Sequence, residues 1–139
     1  MMPNLTQSNA ALLVGRVLLA AIFILGGFQK LMDPPSAAGY ISSVGLPAFL
    51  VYPAILAELG GGLLILVGFQ TRLVALFMAL FTLFLAFMFH KFFVLDAKDP
   101  MFVFQFLNFY KNLGLAGGFL ALFVAGAGEW SVDGARGVE

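Results

Sequence analysis

Residues 47–68 read PAFLVYPAILAELGGGLLILVG, with a single charged side chain, Glu58, near the centre. A bilayer core about 30 Å thick is crossed by about 20 apolar residues in helical form. The run from about 48 to 68 has that length. Pro47 suits its start, because the N–H that proline lacks has no helical partner there in any case. Hydrocarbon offers the backbone no hydrogen-bonding solvent, so a helix, which satisfies its own N–H and C=O groups, is the expected form.

On the C-terminal side the turn GFQTR, residues 68–72, leads directly into a second apolar run. Gly68 reads as the helix stop and Thr71 as the cap of the next helix. The following span, 73–89, carries no charge and is rich in Phe, Leu and Met, as a face turned to lipid requires. So short a turn makes these two spans antiparallel neighbours. His90 and Lys91 close the third span, and the stretch to Pro100, with Asp96, Lys98 and Asp99, is the most polar connection in the chain.

On the N-terminal side a first span covers about 12–31, broken only by Arg16, Gln29 and Lys30, with Ser8 or Asn9 placed to cap it. Pro34 and Pro35 end it, and within the connection 32–46 residues Ala37 to Val44 suit a short interfacial helix. The fourth span is expected at 103–124. Its alternating Phe102, Phe104 and Phe106 resemble a strand, but an unpaired strand edge has no place in hydrocarbon, so a helix with an aromatic interfacial end is expected. The tail GEWSVDGARGVE is polar, with Trp130 at the interface.

Composition agrees. The chain is 62% hydrophobic and 10% charged, against about 45–50% and about 25% in soluble domains. Its 139 residues hold four spans and little else, so the fold class is an all-α integral-membrane four-helix bundle, a single transmembrane domain over 1–139. Lys plus Arg and Asp plus Glu number 7 each, leaving no basic excess for nucleic acid. The absence of cysteine excludes thiolate chemistry, and a lone histidine gives no basis for a protein-ligated metal centre. Any redox role must therefore take its electron carrier from elsewhere, with no intrinsic cofactor. The N-terminus has no positive region ahead of its apolar run, so the first span is expected to be retained.

An ionised side chain at mid-bilayer costs about 2.5–3.5 kcal/mol, so Glu58 and Lys111 need partners. Counted at 1.5 Å per residue from the face of the 68–72 turn, Glu58 lies about 15 Å deep, Lys111 about 20 Å and Arg16 about 6 Å, while Lys30 lies near the opposite end of the first helix. On that count Glu58 pairs with Lys111, and helices one, two and four converge on a line of charges with Asn112, leaving helix three as a cover. Glycines at 15, 26 and 27, at 60–62, and at 114, 117 and 118 permit close approach. The same residues are equally explained by packing alone, with an ion pair that fixes helix register. His90 is interfacial by position and a candidate for a proton or ligand role. Phe102, Phe104, Phe106, Phe109 and Tyr110 read as a lipid-facing belt, with stacking of a quinone ring as the alternative and Gln105 and Asn108 as polar handles nearby.

Three segments carry a resemblance: RVLLAAIFILGGFQKL (16–31), AELGGGLLILVGFQTR (57–72) and FYKNLGLAGGFLALFVAGAGEWSVD (109–133), with the joint placement of Arg16, Lys30, Glu58, Arg72, Lys111 and Asn112. From about Arg16 to Arg136 the chain resembles the DoxX family of small four-helix bacterial membrane proteins. The resemblance implies a multi-pass protein of the bacterial inner membrane and a link to quinone-dependent oxidoreductases. The expected function is thus a membrane subunit of a quinone-linked oxidoreductase. In it Arg16, Lys30, Glu58, Lys111, Asn112 and His90 are candidates to bind or protonate a quinone or other apolar ligand, and a soluble oxidoreductase partner supplies electrons. The alternatives are a small transporter or binding protein for an apolar or weakly acidic solute, and a structural partner-binding bundle. Glycine-rich faces also suit a homo-oligomer. The positive residues divide evenly between the two faces, and the tight turn at Arg72 places both termini in the cytoplasm.

Overall fold

The computed structural model describes residues 8–138; residues 1–7 and 139 of the expected 1–139 domain lie outside the described residues. The Ser8 hydroxyl accepts the Ala11 N–H at 3.2 Å and opens helix α1, Asn9–Met32. Asp33 ends α1 and caps the next helix, accepting the Ser36 N–H at 3.3 Å, so that Pro34 and Pro35 begin α2, Pro34–Ser43, without a lost hydrogen bond. This interfacial helix starts three residues earlier than expected, because proline is compatible with a first helical turn.

The second span, α3, Ala48–Val67, is not one uniform helix. It opens with a 3-10 turn, continues as α-helix through Pro53, widens into a π turn at Leu56–Gly60, and closes as α-helix. Gly68 ends it in the left-handed conformation, φ 70°, with Phe69 N–H donating to Leu64 C=O at 3.0 Å. Helix α4, Thr71–Phe89, follows, then α5, Phe102–Ala125, and a short α6, Val132–Ala135. Four of these helical stretches are long and apolar enough to cross a membrane. Even in the most covered of them protein buries only 33% of the apolar window, so the remaining surface has lipid as its solvent.

Helix α1 packs along α3 and α4 packs along α5, while α1 and α5 meet only weakly. The core draws on all four: Ala20 and Phe23 from α1, Ile65 from α3, Ala75, Met78 and Ala79 from α4, Phe119 and Leu122 from α5. Phe23 and Phe119 bring their ring centres to 5.5 Å across it. The expectation that helix three is a lipid-facing cover is therefore corrected. Its small residues Ala75, Ala79 and Ala86 face inward, a pattern hidden in sequence because alanine and phenylalanine are both apolar. The aromatic belt is corrected in part: Phe109 is buried, and Phe92 of the 90–101 connection folds over the end of α5 with its ring 5.0 Å from Phe106 and 5.3 Å from Phe109.

The start of α4 also differs from expectation. Its N-cap is Gln70, held at φ 50°, and the capping oxygens come from Asp133 far along the chain, which accepts Gln70 N–H at 2.9 Å and Thr71 N–H at 2.8 Å. Thr71 does not cap, because a carboxylate at a helix N-terminus satisfies two free N–H groups and also meets the positive end of the helix dipole. The tail is thereby bound under the bundle. Asn9 and Glu129 exchange two hydrogen bonds there, at 3.0 and 2.9 Å, and the Arg136 guanidinium lies 5.1 Å from the centre of the Phe69 ring.

Burial of the Asp133 carboxyl favours its neutral form, but hydrogen bonds from Thr71 and Gln70 together with the Arg136 charge outweigh that and hold its pKa below the ordinary carboxylate range. A folded pKa below the unfolded one stabilises the protein above the unfolded value and loses that stabilisation as pH falls through the folded value. Asp133→Ala is expected to lower stability by about 0.5–2 kcal/mol at neutral pH. Thermal unfolding in detergent checks this, and the gap between variant and parent should shrink as pH falls below about 3.9.

Candidate cleft between the first three spans

Glu58 is buried in a medium that cannot solvate it, and two local features let it face the protein. The π turn Leu56–Gly60 adds one residue to a helical turn, which re-aims the side chains before it relative to those after it. Glu58 can then turn toward α1 while Gly61, Gly62 and Ile65 still point into the core. On the α1 side Gly26 and Gly27 leave the space. A Cβ on Gly26 would lie 3.0 Å from Glu58 Oε2, and one on Gly27 would lie 2.8 Å from the backbone N of Leu59.

Into this gap Lys30 reaches back along α1. Side chains lean toward the N-terminus of their helix, so a lysine one turn beyond Gly26 passes over it. Lys30 Nζ donates to Glu58 Oε2 at 2.9 Å, the one salt bridge among the described residues. The expected partnership of Glu58 with Lys111 is therefore corrected. Contacts between α1 and α3 set the register: Gly27 lies beside Leu59, Gly62 beside Ile24, and Gly68 beside Arg16. Arg16 is thus level with the 68–72 turn, and α1 begins about two helical turns outside it. Lys30 then stands about 3 Å above Glu58, a height its own length covers.

The pair forms one end of a cleft of about 460 Å³. Helix α4 supplies an aromatic wall of Phe77, Phe81, Phe84 and Phe89, and α3 supplies the opposite wall from Leu50, Pro53, Ala54 and Ala57. Ala37, Tyr40 and Ile41 of α2 close it toward the interface. Tyr40 fixes that roof by donating to the Phe89 carbonyl at 3.3 Å, with the two rings 5.4 Å apart. His90 stands at the far end, about 14 Å along α4 from the level of Phe81 and Glu58. Its Nδ1 lies 2.7 Å from Gln105 Oε1. The volume is that of a small-molecule site, with apolar walls and a few polar groups to orient the occupant.

Of the six candidates, Lys30, Glu58 and His90 line the cleft, and Arg16, Lys111 and Asn112 do not. Arg16 is buried at the face holding the C-terminal tail, where its Nη2 donates to the Trp130 carbonyl and Gly68 makes room for the guanidinium. Arg72 works beside it, donating through Nη1 to the last carbonyls of α5, Phe123 at 2.9 Å and Val124 at 2.5 Å. Lys111 is exposed on α5, outside the cleft lining, and donates to Asn108 Oδ1 at 2.7 Å. Asn112 is buried in α5 away from the cleft. Convergence on helices one, two and four is accordingly replaced by a site between α1, α3 and α4. The α4 aromatics were absent from the sequence-based set, although Phe77, Phe81 and Phe84 recur at helical spacing on one face. Among the described residues no group of His, Asp and Glu side chains is placed to hold a metal ion.

Residues 11–91 match the DoxX family profile. Inner membrane protein YqjF of Escherichia coli strain K12 is 41% identical over 125 residues, covering 90% of this chain and 91% of YqjF. Inner membrane protein YphA of the same strain is 34% identical over 126 residues, covering 88% and 87%. A Bacillus subtilis strain 168 protein named "Putative oxidoreductase CatD" is 35% identical over 65 residues, covering 47% of this chain and 48% of its own. No solved structure matches the chain significantly.

The close approach of α1 and α3 that places the pair is directly testable. Gly27→Ala sets a Cβ against the backbone of Leu59, which cannot yield unless the helices part, and is expected to cost about 1–3 kcal/mol. Gly114→Ala, with open space around the added methyl, is expected to be neutral or slightly stabilising. Unfolding in the same detergent separates the two.

Proposed function

The chain belongs to the DoxX family and is a multi-pass inner-membrane protein, and on that footing we propose that it is the quinone-binding membrane subunit of an oxidoreductase. The observation that carries this reading is the cleft itself: an aromatic wall from α4 faces an intramembrane ion pair, with a histidine at the aqueous end. A flat ring stacks against phenylalanine, and its carbonyl oxygens need donors that apolar walls do not provide. Lys30 is such a donor. The name of the partial relative CatD points the same way for that protein.

Reduction of a quinone to a quinol takes up two electrons and two protons. In this reading the electrons come from a soluble oxidoreductase partner, since the chain has no cysteine and a single histidine. Its own residues bind, orient and handle protons. Lys30 donates to a ring oxygen, Glu58 is a proton carrier within the membrane, and His90, about 14 Å nearer the interface, is a second one at the water-facing end. Arg16 is outside this scheme. It lies at the other face of the bundle with the C-terminal tail.

Full-length protein in lipid nanodiscs is expected to bind a short-chain quinone at equilibrium. Phe84→Leu, which removes an exposed aromatic ring from the cleft wall, should weaken binding about 2- to 10-fold. Lys111→Met, outside the cleft lining, should leave it unchanged. If no quinone co-purifies and none binds on addition, the reading is wrong.

A further inference from the structure

The Lys30–Glu58 pair does not present its two charges equally. The lysine side chain is 32% exposed and the glutamate side chain 7%. Both groups lie beside Gly26, where an added Cβ would stand 3.0 Å from Glu58 Oε2 and 3.8 Å from Lys30 Nζ, and the ammonium is the more accessible of the two. An ammonium has three N–H donors, and one of them is used on Glu58 Oε2. Among the described residues no second acceptor meets Lys30 Nζ, so two donors remain for an occupant. The rest of the lining offers the occupant no competing charge: besides the pair it consists of apolar and aromatic residues, Tyr40 and His90.

We infer that this cleft selects aromatic ligands that carry an ionised ring oxygen, such as an enolate or phenolate, over neutral rings of the same shape. Lys30 is the group that contacts that oxygen. The inference rests on the ligand reading of the cleft given above. A charged acceptor makes a shorter and roughly twice stronger hydrogen bond to an ammonium than a neutral carbonyl does. Glu58 also lines the cleft and repels the same oxygen, but with 7% of its side chain exposed against 32% for Lys30 it is the less accessible charge, so an occupant meets the positive end of the pair first. The apolar walls keep water from screening this difference. The site thus discriminates by charge at one oxygen and by ring shape along the α4 wall.

Two naphthoquinones of nearly equal size provide the test. 2-Hydroxy-1,4-naphthoquinone is an anion at neutral pH, and 2-methyl-1,4-naphthoquinone is uncharged. Binding of each to the full chain is measured by calorimetry in nanodiscs of zwitterionic phosphatidylcholine, which do not themselves attract the anion. The hydroxy compound is expected to bind about tenfold more tightly than the methyl compound. Lys30→Met should abolish the preference, the hydroxy compound losing about tenfold more affinity than the methyl compound. That variant strands a buried carboxylate and can fail to fold, so Lys30→Met combined with Glu58→Gln, which leaves no uncompensated charge, is measured as well. Equal affinity for the two compounds in the parent protein would overturn the charge selection and leave quinone binding standing. Binding of neither would overturn both, and a preference that survives in the double variant would overturn the role of Lys30.

Discussion

A carboxylate in hydrocarbon has to be paired or protonated, and the architecture around Glu58 follows from pairing it. The pair needs α1 and α3 close together, which Gly26 and Gly27 permit, and it needs the acid aimed at α1, which the π turn achieves. Register between the two helices is then fixed by the same contacts, because Lys30 reaches Glu58 only when Gly27 lies against Leu59. Once these helices are placed, α4 packs its alanines into the core and turns its phenylalanines toward the space above the pair. The cleft is what remains between a charged pair that cannot move far and an aromatic wall that cannot approach it.

The two ends of the bundle divide the work. At the face of the termini, charged residues tie chain segments together: Arg16 holds Trp130, Arg72 caps α5, and Asp133 caps α4. These contacts satisfy backbone groups that helix ends leave free, a need that grows near the membrane because water is scarce. At the opposite end the polar residues Lys30, Glu58 and His90 line a cavity and retain hydrogen-bonding capacity. The ties between chain segments and the cavity therefore lie in separate regions of a very small protein.

The four spans, the all-helical class and the choice of Glu58 as the central residue were legible in the sequence, because hydropathy and the cost of a buried charge are local properties. The partner of Glu58 was not. Depth was counted from the 68–72 turn as though α1 started level with it, whereas Arg16 is level with Gly68 and α1 extends beyond. That offset favoured Lys111 as the partner and left Lys30 as a candidate near the far end of α1. The role of Asp133 is equally invisible to local reading, since the helix it caps lies more than sixty residues away. The α4 wall escaped notice for a chemical reason: a phenylalanine facing lipid and one facing an apolar cleft have the same hydropathy. The π turn of α3 was not legible either, since the glycines at 60–62 read only as permitting close helix approach.

The account stands on Lys30 being the counter-charge of Glu58, and a double-mutant cycle measures that directly. Lys30→Met, Glu58→Gln and the combined variant are compared by reversible unfolding in bicelles, alongside the same cycle for Lys111 and Glu58. The expected coupling energy is about 0.5–2 kcal/mol for the first pair and within about 0.3–0.5 kcal/mol of zero for the second. Coupling of Glu58 to Lys111 with none to Lys30 would contradict the arrangement described.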